Sequence, residues 1–219
     1  MVKKKILIVE GNTREENSEF TAVGINTHTE SLIESINFYE KDLDISIANP
    51  SSDNNLKNSI DSLDKYDGMI WGGSSLNIYN DTDEIRRQIS FMRECQLKIK
   101  KIFAICWGLQ VAVTVAGGQV KKSDKGAHRG IAHNIKVNNI GSNHKIYLNK
   151  KRQFNSPAFN FDEVVKIPEG AILLSSNELN NVMGLNFKTN KSDIWGIQYH
   201  PEITYEKMVS LIHFRKERL

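Results

Sequence analysis

Over the first half of the chain, short runs of aliphatic and β-branched residues alternate with longer stretches whose apolar positions recur every three or four residues. This is the pattern of parallel strands joined by crossover helices. "KKILIVEG" predicts a first strand, and "THTESLIESINFYEK" a helix with Thr27 and Glu30 at capping-box spacing. Leu32, Ile33, Ile36 and either Phe38 or Tyr39 supply that helix with an apolar stripe. "DISIANP" reads as a second strand ended by Pro50, "LKNSIDSLDKY" as a short helix, and "DGMIWGGSS" as a third strand running into a glycine turn. In "DTDEIRRQISFMRECQLKIK" Ile85, Ile89 and Met92 fall on one face of a long helix, and "KIFAIC" follows as a buried fourth strand.

Beyond Gly118 the texture changes. "GIAHNIKVN", "KIYLN", "FDEVVKIP", "AILLSSN", "VMGLNFKT" and "DIWGIQYHPE" are closely spaced strand patterns separated by turn residues, as expected of antiparallel strands added to or beside a parallel sheet. "TYEKMVSLIHFRKERL" closes the chain as a helix. Residues 10 to 26 interrupt the rhythm as a long polar connection, and connections of that length inside compact domains are often functional. The expected fold is α/β, a doubly wound, mostly parallel, flavodoxin-like sheet with added antiparallel strands, in one domain covering 1–219.

Composition narrows the picture by exclusion. The hydrophobic and charged fractions, 39% and 25%, are those of an ordinary globular protein. A net charge of +3 gives no reason to expect nucleic acid as a partner, and Lys3 to Lys5 with Lys121, Lys122 and Lys125 read as solvated surface. No window approaches the roughly 18 apolar residues of a membrane span, and "ILIV" after "MVKKK" is too short for a signal sequence. The expected setting is cytoplasmic, with no membrane contact and with Cys95 and Cys106 as free thiols. The six histidines form no Cys/His ligand spacing, so no metal or other cofactor is expected.

The candidate chemistry sits at strand ends. Cys106 falls where the fourth strand ends and a helix begins, and "A-I-C-W-G" has the small residues, Ala104 and Gly108, that allow a sharp strand–turn–helix elbow. A thiol there meets the positive end of the following helix, which favours its reactive anionic form. Buried cysteine also serves as a small hydrophobe, and this segment alone leaves both readings open. In "WGIQYHPE", His200 ends an apolar strand with Glu202 two residues on, an arrangement suited to a base and its orienting carboxylate. In "IWGGSS", Gly72 and Gly73 let a backbone N–H approach a substrate carbonyl, so that with the N–H after the cysteine they would form an oxyanion hole.

The ordered set "GGS", "C-W-G-L-Q" and "Y-H-P-E" resembles the class I glutamine amidotransferase family, the Cys-His-Glu glutaminases. The resemblance runs from Ile6 to the last helix. "VVKIPEGAILLSSN" and "WGIQYHPEITYEKMVSLI" are most similar to the stand-alone branch related to the glutaminase part of GMP synthase. It implies Cys106 as nucleophile, His200 as acid/base and Glu202 as the group orienting it. It further implies the N–H groups of Gly73 and Trp107 at the oxyanion. The glutamyl pocket would be shaped by Gly72, Gln110 and the segment Phe159, Asn160 and Phe161; apart from the resemblance, Asp162 is expected, from its place beside that segment, to anchor the adjacent turn. Three positions depart from the family pattern: Ala104 and Ser74 stand where glycine and proline are usual, and Phe159-Asn160 replaces a Ser-His pair.

The resemblance implies hydrolysis of the γ-amide of glutamine through a Cys106 γ-glutamyl thioester. Ammonia would pass to a separate synthase acting in trans, since no synthase domain follows Leu219 in this sequence. An alternative is a self-sufficient hydrolase or peptidase acting on a γ-glutamyl amine or peptide, with Glu10, Asn12 and Arg14 of the polar connection contacting a larger leaving group. A third reading is a non-catalytic binding module. Cys95 and the histidines at 28, 128, 133, 144 and 213 are expected to be structural or at the surface, and the oligomeric state is open.

Overall fold

The computed structural model describes residues 3–218 except 54 and 190, so Leu219, at the end of the predicted closing helix, lies outside the described residues. Strand β1 (Lys4–Val9) turns Leu7 and Val9 into one core and Ile8 into another, as a parallel strand covered on both faces must. Helix α1 (Arg14–Ala22) follows, where the sequence pattern predicts only a polar connection. Its residues are polar apart from Phe20, which it buries, and the terminal Ala22, so periodicity gives little signal. Its start is marked by Thr13, whose hydroxyl accepts the Glu16 N–H. Helix α2 (His28–Tyr39) begins with the predicted capping box of Thr27 and Glu30 and buries Leu32, but Phe38 and Tyr39 are 79% and 85% exposed and lie off its core stripe.

Strand β2 (Leu43–Ala48), helix α3 (Lys57–Asp61), strand β3 (Gly68–Trp71), helix α4 (Asp83–Lys98), strand β4 (Lys101–Ile105) and helix α5 (Trp107–Val115) complete the wound half. After it come β5 (Gln119–Lys122), β6 (His128–Val137), the short helix α6 (Asn139–Ser142), β7 (Gln153–Asn160) and β8 (Asp162–Lys166). β9 (Ile172–Ser176), β10 (Gly184–Lys188), β11 (Asp193–Ile197) and helix α7 (Tyr205–Phe214) end the chain.

The main sheet has the order β2-β1-β3-β4-β11-β10-β9-β6-β7. Every pairing from β2 to β11 is parallel, and every pairing from β11 to β7 is antiparallel. β5 and β8 form a separate two-stranded antiparallel ladder. One predicted strand fails locally, and β5 and β7 form where the sequence pattern predicts no strand. "KIYLN" is a single 3-10 turn, Lys145–Tyr147, held by the Tyr147 hydroxyl against Ser175 at 2.7 Å, because one buried tyrosine rather than an alternating face fixes it. β7 carries Pro157, a residue that argues against a strand, and is tolerated because β7 is the sheet edge.

α5 lies directly against the end of β3. A Cβ at Gly108 would stand 2.5 Å from the Trp71 carbonyl oxygen, and the Gly108 N–H donates to the Gly72 carbonyl at 3.2 Å. Gly108→Ala is therefore expected to cost about 1–3 kcal/mol. Chemical denaturation reads this directly, and an unchanged midpoint would contradict the close packing of α5 on β3.

Candidate active site

The ends of β3, β4 and β11 meet at Cys106. Between β4 and α5 the cysteine adopts φ 50° and ψ −99°, a positive-φ conformation that costs a non-glycine residue on the order of 1–3 kcal/mol unless its surroundings impose it. They do: its N–H donates to the Ile197 carbonyl of β11 at 2.7 Å, and its carbonyl accepts the Gln110 N–H at 3.2 Å. The residue is 4% exposed and lines a cavity of about 330 Å³. Gln198 Nε2 donates to Cys106 Sγ at 3.3 Å, and Gln198 Oε1 accepts from Gln110 Nε2 at 3.5 Å.

His200 follows β11, where its N–H is held by the Pro157 carbonyl of β7 at 2.8 Å. Nδ1 and Glu202 Oε1 are 2.7 Å apart, and both residues are buried. Burial favours the neutral ring, but the Glu202 carboxylate and Cys106, which is also a hydrogen-bond partner of the ring, outweigh it and push the imidazole pKa up to about 10. A Cβ at Gly73 would lie 2.7 Å from His200 Cε1, so only glycine lets the turn after β3 lie against this ring. Trp107 opens α5, which leaves its N–H without an intrahelical acceptor, and its indole is pinned by Gln88 Oε1 at 2.7 Å.

The other expected residues divide by position. Gln110, Phe159, Asn160 and Phe161 line the cavity together with Cys106 and Trp107. Gly72 does not line it. Its N–H donates to Val9 and its carbonyl accepts from Gly108, so it braces the elbow from below instead of facing a substrate. The Asn160 side chain meets His128 Nδ1 at 3.0 Å and donates to the Asp162 carbonyl at 2.9 Å. Asp162 anchors the turn as expected, accepting from Asn77 Nδ2 at 2.8 Å and from the Tyr79 hydroxyl at 3.0 Å. Glu10 and Asn12 are buried in structural bonds to the Asn12 and Ser75 N–H groups, and Arg14 is exposed and paired with Asp53. These bonds remove the three as contacts for a leaving group. Cys95 is fully buried, and burial pushes its thiol pKa up.

Sequence reasoning missed His28. It is 4% exposed, and its ring stacks on His200 with centroids 5.4 Å apart and planes 20° from parallel. Burial, followed by the positive charges of His200, Lys207 and Arg215, holds its pKa well below 6.5, so the ring beside His200 is neutral. Its only signal in the sequence was its place directly after the helix cap. His28, His200 and Glu202 also bring one possible metal-ligand atom each within 4.8 Å of one another, although His200 Nδ1 and Glu202 Oε1 are already engaged with each other. Gln198 and Arg215 were missed as well. Gln198 hid inside an apolar strand, and Arg215 lay at a helix end far along the chain.

A family model described as glutamine amidotransferase class-I matches residues 25–216. The chain is 31% identical over 210 residues to a γ-glutamyl-L-1-hydroxyisopropylamide hydrolase of a Pseudomonas species, covering 93% of this chain and 69% of that one. It is 27% identical over 147 residues to one subunit of the glutamine-hydrolysing GMP synthase of Sulfolobus acidocaldarius, covering 67% and 73%. A solved glutamine amidotransferase of Thermotoga maritima superposes with a TM-score of 0.73 at 18% identity, over all of this chain and 85% of that one, which is a likeness of fold.

The buried neutral His28 has a consequence for stability. Its pKa is depressed in the fold and ordinary, about 6.5, in the unfolded chain, so below that pH the unfolded state binds the extra proton. The stability His28 contributes is present above about pH 6.5 and lost as pH falls. Thermal melts of wild type and His28→Phe between neutral and acid pH should show the smaller loss in the variant. Parallel losses would contradict a neutral His28.

Proposed function

The chain belongs to the class I glutamine amidotransferase family, and we propose that it hydrolyses the amide bond of a γ-glutamyl compound with Cys106 as nucleophile, His200 as acid/base and Glu202 as the group orienting His200. The observation that carries this reading is the strained Cys106 elbow, which lines an open cavity on one side and has a buried imidazole–carboxylate pair behind it. The Cys106 sulfur attacks the γ-carbonyl carbon, and the N–H groups of Gly73 and Trp107 stabilise the oxyanion. His200, carrying the thiol proton, gives it to the nitrogen of the leaving amine as the C–N bond breaks. In the second half, His200 takes a proton from water, the water oxygen attacks the thioester carbonyl, and glutamate leaves as the C–S bond breaks and the proton returns to sulfur.

For the leaving amine we propose a substituted amine in preference to ammonia. The Pseudomonas relative, named for γ-glutamyl-L-1-hydroxyisopropylamide, the amide of a substituted amine, aligns with 93% of this chain, and the cavity is roomy for a glutamyl group with a small amine attached. A second reading, favoured by the likeness to the Sulfolobus protein, is glutamine hydrolysis with ammonia passed to a synthase partner. Steady-state kcat/KM for γ-glutamyl alkylamides should exceed that for glutamine at least about tenfold, a difference that pocket contacts with a few extra carbons supply. A preference for glutamine, or activity that appears only when a synthase is added, would overturn the first choice of amine in favour of the second.

Cys106→Ser should lower kcat by about 10⁴-fold or more while the fold melts normally. Glu202→Gln, which keeps the shape but removes the orienting charge, should reduce kcat by about 10²–10⁴-fold without abolishing it. Turnover must also decline on the alkaline side as pH passes about 10, where His200 loses the proton it donates to the leaving amine. Activity undiminished above that pH would deny His200 the role of acid.

A further inference from the structure

A cationic and an anionic side chain that the chemistry above does not use line the cavity beside Cys106. Arg215, at the C-terminal end of α7, is 7% exposed. Its guanidinium carbon lies 5.1 Å from the Phe20 ring centroid and 5.2 Å from that of Phe159, and the group donates to the Ser75 hydroxyl. Ser75 is fixed in turn, because its N–H donates to the buried Asn12 Oδ1 at 3.0 Å. A guanidinium packed against two aromatic rings and tied to the turn that carries Gly73 is preorganised, so little is lost on binding a planar anion.

Glu16, on α1, lines the same cavity, and its Oε2 is buried with no hydrogen-bond partner among the described residues. A buried carboxylate oxygen left without a donor is costly and calls for a ligand. Asp162, the other acid in the lining, is already engaged at both oxygens by Asn77 and Tyr79. A γ-glutamyl substrate ends, three carbons from its scissile carbonyl, in an α-carbon bearing both a carboxylate and an ammonium. We propose that Arg215 and Glu16 are the specificity residues of this cavity, Arg215 binding the α-carboxylate and Glu16 the α-ammonium of the γ-glutamyl group. The assignment rests on the γ-glutamyl reading above and gives α1 and the end of α7 a shared purpose. They pack together through Phe20 and Phe214, whose ring centroids are 5.3 Å apart, and each delivers one charge to the cavity.

The test crosses residue with ligand. γ-Glutamyl methylamide is compared with one analogue in which hydrogen replaces the α-carboxylate and another in which hydrogen replaces the α-ammonium, using wild type, Arg215→Met, Arg215→Lys and Glu16→Gln. Loss of the carboxylate should lower wild-type kcat/KM by about 100-fold, and that of Arg215→Met by less than about threefold, with Arg215→Lys between them. Glu16→Gln should instead blunt the penalty for losing the ammonium. A separate arm needs no turnover: L-glutamate should protect Cys106 from alkylation by iodoacetamide in wild type and fail to do so in Arg215→Met. Protection of this kind without hydrolysis of any γ-glutamyl amide would support the subsite and overturn the hydrolase reading. Hydrolysis with equal carboxylate discrimination in wild type and Arg215→Met, or equal losses on all three substrates, would overturn the subsite alone.

Discussion

A carboxylate and an imidazole 2.7 Å apart, both out of water, are the constraint around which this molecule is arranged. Removing such groups from solvent costs several kcal/mol each unless each finds compensating charge and hydrogen bonds. Here Glu202 compensates His200, Cys106 compensates it from the other side, and together they reverse the natural tendency of a buried ring to be neutral. The neighbouring His28 shows the contrast. It is equally buried, but its Nδ1 has no hydrogen-bond partner among the described residues, and it stays uncharged. Two stacked imidazoles in opposite protonation states thus lie side by side, and the proton is directed to the one that faces the sulfur.

Holding that pair in place is the work of the sheet. β4 and β11 are adjacent and parallel, so the cysteine after one and the histidine after the other emerge at the same edge. The Cys106 N–H reaches across to Ile197, and the His200 N–H reaches to Pro157 on the far edge strand. β3, on the other side of β4, brings Gly73 against the histidine and supports the elbow through Gly108. The strain at Cys106 is therefore sustained by backbone contacts from three strands, and the side chain is aimed before any substrate arrives.

How much of this was legible in the sequence depended on the kind of signal. The wound half was readable because parallel strands buried on both faces are apolar runs, and Thr27 with Glu30 marked a helix start without ambiguity. The strand-end positions of Cys106, His200 and Gly73 followed from the same pattern. Helix α1 was not readable as a helix, because it buries only Phe20 and has no apolar face to give it a period, although Thr13 and Glu16 sat at the spacing of a cap. β7 was hidden by Pro157, and the 3-10 turn at Tyr147 imitated a strand. His28, Gln198, Glu16 and Arg215 escaped for a common reason: each acts through a contact between distant segments, and a residue type at one position does not announce its partner. Gly72 shows the converse, since a paired glycine suggested two substrate contacts where one residue braces the turn and the other faces the histidine.

The central claim is that the sulfur of Cys106, and no other group, carries the glutamyl unit between the departure of the amine and the arrival of water. Rapid mixing with a γ-glutamyl amide, quenching in acid within one turnover and mass analysis of the digested protein tests it most directly. The account predicts a mass increment of one glutamyl unit on the peptide containing Cys106, appearing before glutamate and decaying as glutamate forms. Glutamate produced with that peptide unmodified throughout, or with the increment on the Cys95 peptide, would contradict it.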